Sequence, residues 1–247
     1  MGELSQIIKL DATDSTNLYL KDLMLSSAPK DYTVVVTRKQ LKGRGQMGTL
    51  WESEPGKNLT FSVLKYFDAL ESNNQFSLNM MVSLAIHTVL TELNIPKVKI
   101  KWPNDIMSGS SKICGILIEN VLNGSLVRKS IIGIGLNVNQ TSFGTLQKAS
   151  SLAQITGRTF DLDHVLECLL NKMKSFLEGL QEYDLTSLQS QYESLLFKKD
   201  MVSTFKTDSG KLFPAIVRGV SSSGQLVLEL EDESLSHFSL KEISLQY

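Results

Sequence analysis

Apolar residues recur along this chain in two periods, and the changes between them mark out strands and helices. Residues 7–10 and 32–37 are short apolar runs, the second rich in β-branched residues, and both predict strands. Between them Leu18, Leu20, Leu23, Met24 and Leu25 follow a helix-compatible pattern, entered through Asp14, Ser15, Thr16 and Asn17, all good N-cap residues. Leu59, Phe61 and Val63 alternate within residues 58–66, which predicts another strand. Residues 76–93 carry Phe76, Met80, Leu84, Ile86, Val89, Leu90 and Leu93 at helical spacing, and Pro96 ends the segment. Val98, Ile100 and Trp102 then alternate with Lys97, Lys99 and Lys101, a strand with one wet face, before a turn at Pro103-Asn104-Asp105.

Residues 113–119 and 126–138 predict two strands joined through Asn123-Gly124, a strong hairpin signal. Val165, Leu166, Leu169, Met173, Phe176, Leu177 and Leu180 form one face of a helix over residues 162–180, and residues 185–196 predict a second. No helical period survives beyond Phe197. Strand-like runs at 213–220, 225–230 and 237–240 alternate there with Asp208-Ser209-Gly210 and Ser221-Ser222-Ser223-Gly224. The expected organisation is a body of strands and helices over 1–196 and a small β-barrel module over 197–247.

A chain of 247 residues, 42% hydrophobic, can bury one sizeable core or a large and a small one. Its 25 basic and 26 acidic residues leave no basic excess of the kind that nucleic-acid or membrane-surface binding requires. Cys114 lies in an apolar run and Cys168 on a helix; two isolated cysteines make neither a disulfide framework nor a zinc cluster. Residues 1–9 have no signal-peptide pattern, and no apolar run has the length of a membrane span, so the expectation is a cytoplasmic protein.

Residues 38–55 break the pattern. They are long for a connection, polar, and contain Gly43-Arg44-Gly45-Gln46-Met47-Gly48 running into Trp51. Glycines let backbone N–H groups approach a ligand, and Arg44 adds a forked donor for carboxylate or phosphate. No Gly-Lys-Ser/Thr closes a P-loop, and the glycine spacing is not that of a dinucleotide fingerprint. By this chemistry alone the segment suits an anion-binding loop or an ordinary flexible one. Lys101-Trp102-Pro103-Asn104-Asp105 sets an aromatic face, an amide and a carboxylate at a strand end; Asp105 suits magnesium, or the pair simply makes a turn. Lys112 opens an apolar strand and either faces solvent or points at an anion, with Gly115 giving room for it. Gly133-Ile134-Gly135-Leu136-Asn137 has gaps that fit close ligand approach or close packing. His87, His164 and His237 stand apart, without the converging partners that a metal site or triad needs.

The order of these segments is more specific than any one of them. Asp14-Ser15-Thr16-Asn17, Gln40, Gly43-Arg44-Gly45, Trp51, Lys101-Trp102-Pro103-Asn104-Asp105, Lys112-Ile113-Cys114-Gly115-Ile116-Leu117 and Gly133-Ile134-Gly135-Leu136-Asn137 together resemble the biotin–protein ligase family (biotin–[acetyl-CoA-carboxylase] ligases). The resemblance implies an α+β fold, a mixed β-sheet flanked by helices of the class II synthetase-like kind, with a small C-terminal SH3-like β-barrel. It implies the ligase chemistry: ATP activates biotin to biotinyl-5′-AMP, and a lysine of a biotin carboxyl carrier domain then takes the biotinyl group. By the same resemblance Ser15, Thr16, Asn17, Gln40, Gly43, Arg44, Gly45, Gln46, Lys112 and Gly115 bind biotin. Trp51, Lys101, Asn104, Asp105 and Asn137 place ATP and the adenylate, Lys112 and Arg44 are catalytic, and Asp105 is the magnesium ligand. The implied partners are biotin, ATP with Mg2+ and the carrier domain, in a monomer or homodimer without a DNA-binding or membrane role; a lipoate ligase or a non-catalytic module is the rival reading. One departure stands out: the family's loop often carries a further basic residue, where this chain has Gln46 and Thr49.

Overall fold

The computed structural model describes residues 6–179 and 184–247. Leu180 of the expected helix, and residues 1–5 of the leading segment, lie outside them. Strands β1 (Gln6–Thr13), β2 (Thr33–Gln40), β3 (Leu59–Glu71), β4 (Val98–Lys101), β5 (Asp105–Ser108), β6 (Ser111–Asn123) and β7 (Leu126–Leu136) form one sheet in the order β1-β2-β3-β7-β6-β5-β4. Only β1 and β2 run parallel, so the sheet is mixed, as expected. The Asn123-Gly124 hairpin forms, with Gly124 at φ +60°. Asp105, expected in a turn, instead opens β5 and pairs with Gly115 of β6. β5 leaves no signal in the sequence because only four residues separate the turn from the next break.

Alternation of side chains decides what each face of the sheet meets. Phe61, Val63, Ile116, Ile132 and Ile134 join the main buried cluster with Met81 and Leu84 of α2 (Gln75–Glu92) and Leu166 and Leu169 of α4 (Leu162–Glu178). Their neighbours Leu64 and Ile131 point the other way, where Leu20 of α1 (Thr16–Ser26) and Val35 complete a smaller cluster. The helical layer is therefore thick on one face. On the other, α1 covers only part of the sheet and leaves a cleft beside it.

A short helix, α3 (Leu152–Thr156), was not anticipated; the helix expected at 185–196 is α5 (Leu185–Ser194). The C-terminal module is a five-stranded antiparallel sheet in the order β11-β10-β9-β8-β12, built from β8 (Val202–Thr207), β9 (Leu212–Val220), β10 (Leu226–Glu229), β11 (Leu235–Phe238) and β12 (Ile243–Gln246). β8 and β12 have no clear apolar period because few of their side chains turn inward: Phe205 and Ile243 are the buried ones. The module's Phe205, Val217 and Leu228 belong to the same buried cluster as the body, and Trp102 Nε1 donates to Gly224 O across the junction at 2.9 Å.

Candidate active site

The cleft beside α1 is a cavity of about 250 Å³. Its floor is two cross-strand rows of the sheet. Ser62 of β3, Gly133 of β7 and Leu117 of β6 lie in one; Thr60, Gly135, Gly115 and Asp105 of β5 lie in the next. The glycines are gaps, and each row's β7 glycine is covered by one side chain. A Cβ on Gly133 would overlap the Asn17 amide, and one on Gly135 would overlap the Trp51 indole. The gapped β7 strand is thus explained by close packing of two side chains that themselves line the cavity.

At one end the polar groups are buried. Ser15 occupies the N-cap position of α1, yet its side chain makes no capping bond. Gln40 supplies one instead: its Oε1 accepts from the Thr16 N–H at 2.9 Å. The Ser15 hydroxyl, in a residue only 3% exposed, therefore faces the cavity rather than the helix end.

At the other end the charges collect. Lys112 Nζ lies 2.6 Å from Asp105 Oδ1 and 5.7 Å from the centre of the Trp51 ring. Lys101 approaches the other Asp105 oxygen at 3.6 Å. Burial lowers the Lys101 pKa, Lys112 and Lys148 add to that, and Asp105 opposes it. Residues 43–51 form a hairpin: Trp51 N–H donates to Gly43 O at 3.0 Å, Gly45 N–H to Thr49 O at 2.7 Å, and Arg44 pairs with Leu50. The hairpin brings exposed Arg44 to the cavity mouth, with no ion pair among the described residues. Trp51 Nε1 is buried without a hydrogen-bond partner.

Of the residues singled out in the sequence, Ser15, Thr16, Asn17, Gln40, Arg44, Gly45, Gln46, Trp51, Asn104, Asp105, Lys112 and Gly115 line this one cavity. Three do not. Gly43 lies at the base of the hairpin, where a side chain would overlap the Trp51 carbonyl. Lys101 lines a neighbouring cleft against the C-terminal module. Asn137 is buried, and its amide donates to Ser150 O at 3.0 Å, tying down the segment beside Lys112. Thr49, Leu50, Thr60, Ile116, Leu117 and Gly133-Ile134-Gly135 complete the lining; of these, Thr60 reads in the sequence as an ordinary strand residue. Asn104 braces the site by donating to Ile116 O at 2.7 Å. Asp105 is the one carboxylate of the lining and is engaged by two lysines, and no cluster of three potential metal ligands exists among the described residues. These residues do not fit a protein-held metal site.

Residues 10–137 match the model of the Biotin/lipoate A/B protein ligase family, and this stretch covers more than half of the chain. The chain belongs to the biotin/lipoate ligase family. Among such ligases, the Bifunctional ligase/repressor BirA of Bacillus subtilis is 30% identical over 241 residues, covering 94% of this chain and 71% of BirA. A Biotin--[acetyl-CoA-carboxylase] ligase of Paracoccus denitrificans is 26% identical, over 89% and 92% of the two chains. The solved biotin protein ligase of Aquifex aeolicus in complex with biotin and ATP superposes with a TM-score of 0.80 at 27% identity, covering 98% of each chain. The Aquifex biotin protein ligase thus shares the described fold, C-terminal sheet included. No helix among the described residues is long and apolar enough to cross a membrane.

Proposed function

We propose that this protein is a biotin–protein ligase that couples biotin to ATP in the cavity beside α1 and passes the biotinyl group to a carrier lysine. The observation that carries this reading is the polarity of the cavity: buried neutral donors and acceptors at one end, cations at the other. A ureido ring fits the first end, at Ser15, Thr16 and Gln40. The carboxylate and the α-phosphate meet at the second. In the first step a biotin carboxylate oxygen attacks the α-phosphorus and pyrophosphate leaves. Two anions must come together, so fixed positive charge lowers the barrier; Lys112, held by Asp105, and Arg44 at the mouth supply it. In the second step a lysine amine attacks the acyl carbon, an amide forms, AMP leaves and the amine gives up a proton.

Trp51, lying over Gly135 and Gly115, offers its indole face to the nucleotide, and Asn104 and Asn137 act as braces for the strands beneath. Magnesium is assigned to the phosphates of ATP, because Asp105 alone, already paired, is no cage for it. We read residues 1–196 as the catalytic unit and 197–247 as the appended SH3-like module. The acceptor is a carrier domain of a carboxylase; the Paracoccus relative is named as a ligase acting on acetyl-CoA carboxylase. The test is incubation of the protein with ATP, Mg2+, biotin and such a carrier domain, read by intact mass. Gain of one biotinyl group, with pyrophosphate released only when biotin is present, is the expected result. Modification by lipoate and not by biotin would overturn the reading.

A further inference from the structure

A continuous chain of polar side chains runs beneath the neutral end of the cavity. Glu119 Oε2 accepts from Asn17 Nδ2 at 2.7 Å, and Leu117 O takes a longer bond from the same nitrogen at 3.3 Å. Ser62 Oγ lies 2.5 Å from Asn17 Oδ1 and 2.7 Å from Thr16 Oγ1. Thr16 Oγ1 in turn stands 3.3 Å from Gln40 Oε1. Ser62 is fully buried, and Thr16 and Asn17 are each 3% exposed. Nothing in the local sequence marks Ser62 or Glu119.

The protons in this chain can be placed by counting donors. A carboxylate and a carbonyl only accept, so the end of Asn17 that faces both must be its NH2 group. The Asn17 oxygen therefore faces Ser62 and accepts from its hydroxyl. The same hydroxyl is directed at Thr16 Oγ1, 2.7 Å away, so Thr16 accepts from Ser62 and the one Ser62 proton is shared between the two oxygens. The Thr16 hydroxyl in turn donates to Gln40 Oε1 at 3.3 Å, beside the 2.9 Å bond that the same oxygen takes from the Thr16 backbone N–H. The remaining lone pair of Thr16 Oγ1 is left for whatever enters the cavity.

We infer that Glu119, acting through Asn17 and Ser62, sets the direction of this relay and fixes Thr16 as an acceptor that selects ligands bearing an N–H donor at this subsite. Asn17 is then a positioning residue, with both ends of its amide used inside the protein. Gly133 is the space that lets it lie there: a Cβ at that position would overlap the Asn17 oxygen. Glu119 lies two residues beyond Leu117 on β6, so its side chain stands on the cavity face and meets the amide that the Leu117 main-chain carbonyl also reaches. The inference rests on the biotin reading, whose ureido ring provides the N–H donors.

The experiment is titration calorimetry with biotin and with its two analogues methylated at one or the other ureido nitrogen. The nucleotide-free wild-type protein is compared with Glu119→Gln and Ser62→Ala, and ATP KM is measured in parallel. Glu119→Gln replaces a group that only accepts with an amide that can donate or accept, so it releases the order of the relay; Ser62→Ala cuts the relay. Each variant is expected to lose about tenfold in biotin affinity, near the worth of one hydrogen bond. Discrimination between biotin and the sensitive analogue should shrink by a similar factor, while ATP KM stays within about twofold because the nucleotide end lies on the other row. Equal losses for biotin and both analogues, or no loss, would overturn the relay. If a variant does not fold, the wild type still decides: binding both methylated analogues as tightly as biotin overturns the relay. A wild-type protein that does not bind biotin at all fails the functional reading, a separate result.

Discussion

The two glycine-gapped rows of the main sheet are built alike and finished differently. In the first, Asn17 lies over Gly133 and every polar atom of its amide has a protein partner. In the second, Trp51 lies over Gly135 and its buried indole N–H has none. Asn17 comes from a helix packed on the sheet, and Trp51 from a hairpin whose Leu50 is 74% exposed. Buried polar networks that are fully satisfied hold one arrangement, whereas an unsatisfied group favours any change that gives it a partner. On the proposed function, the biotin end is therefore prepared before the ligand arrives, and the nucleotide end is completed by it.

Substitutions on the two rows put this contrast to the test. Lys112→Ala should have the largest effect, slowing adenylate formation about 10²–10³-fold through loss of a fixed charge at the developing transition state, with unfolding unchanged. Biotin-dependent pyrophosphate release measures it, and wild-type rates would remove Lys112 from the catalytic set. Gly133→Ala and Gly135→Ala come next as a matched pair. Gly133→Ala should destabilise the fold by about 1–3 kcal/mol, because buried partners of Asn17 lose their bonds. Gly135→Ala should leave denaturant unfolding nearly unchanged and raise ATP KM instead, since Trp51 can swing away on its hairpin. Equal destabilisation by both would erase the contrast. Trp51→Phe is milder. It removes a donor with no partner, so stability should stay within about 0.5 kcal/mol of wild type while ATP KM rises.

The smallest effect concerns the thiols. Burial pushes the Cys114 thiol pKa well up, under the second row, while Cys168 is half-buried on α4. A maleimide should label Cys168 in the native protein and reach Cys114 only after unfolding, as peptide mass mapping would show.

Much of this was legible along the chain. The strand at 59–63, the hairpin at Asn123-Gly124 and the amphipathic α4 follow from local periods that tertiary packing did not override. The motifs from Ser15 to Gly115 met in one cavity because each sits at the end or gap of an element that faces it. Asn137 had the right chemistry for a ligand and proved to face Ser150, and Lys101 meets the cavity only through Asp105, since residue type does not say which way a side chain points. Ser62 looked like any polar residue on a strand face; its importance comes from neighbours 45 and 46 positions away.

The linear chain was enough to establish the order of elements, the glycine and arginine chemistry of the loop and the ligase family, because these depend on short-range period and on residue types at fixed spacing. It took the folded molecule to show that the glycine gaps are filled by Asn17 and Trp51, and that one row is saturated while the other is not. The register of β3, β7 and β6 sets Ser62, Gly133 and Leu117 side by side, and Asn17 finds its carboxylate 102 residues away. Strand register is a global property, and no local stretch of the chain encodes it.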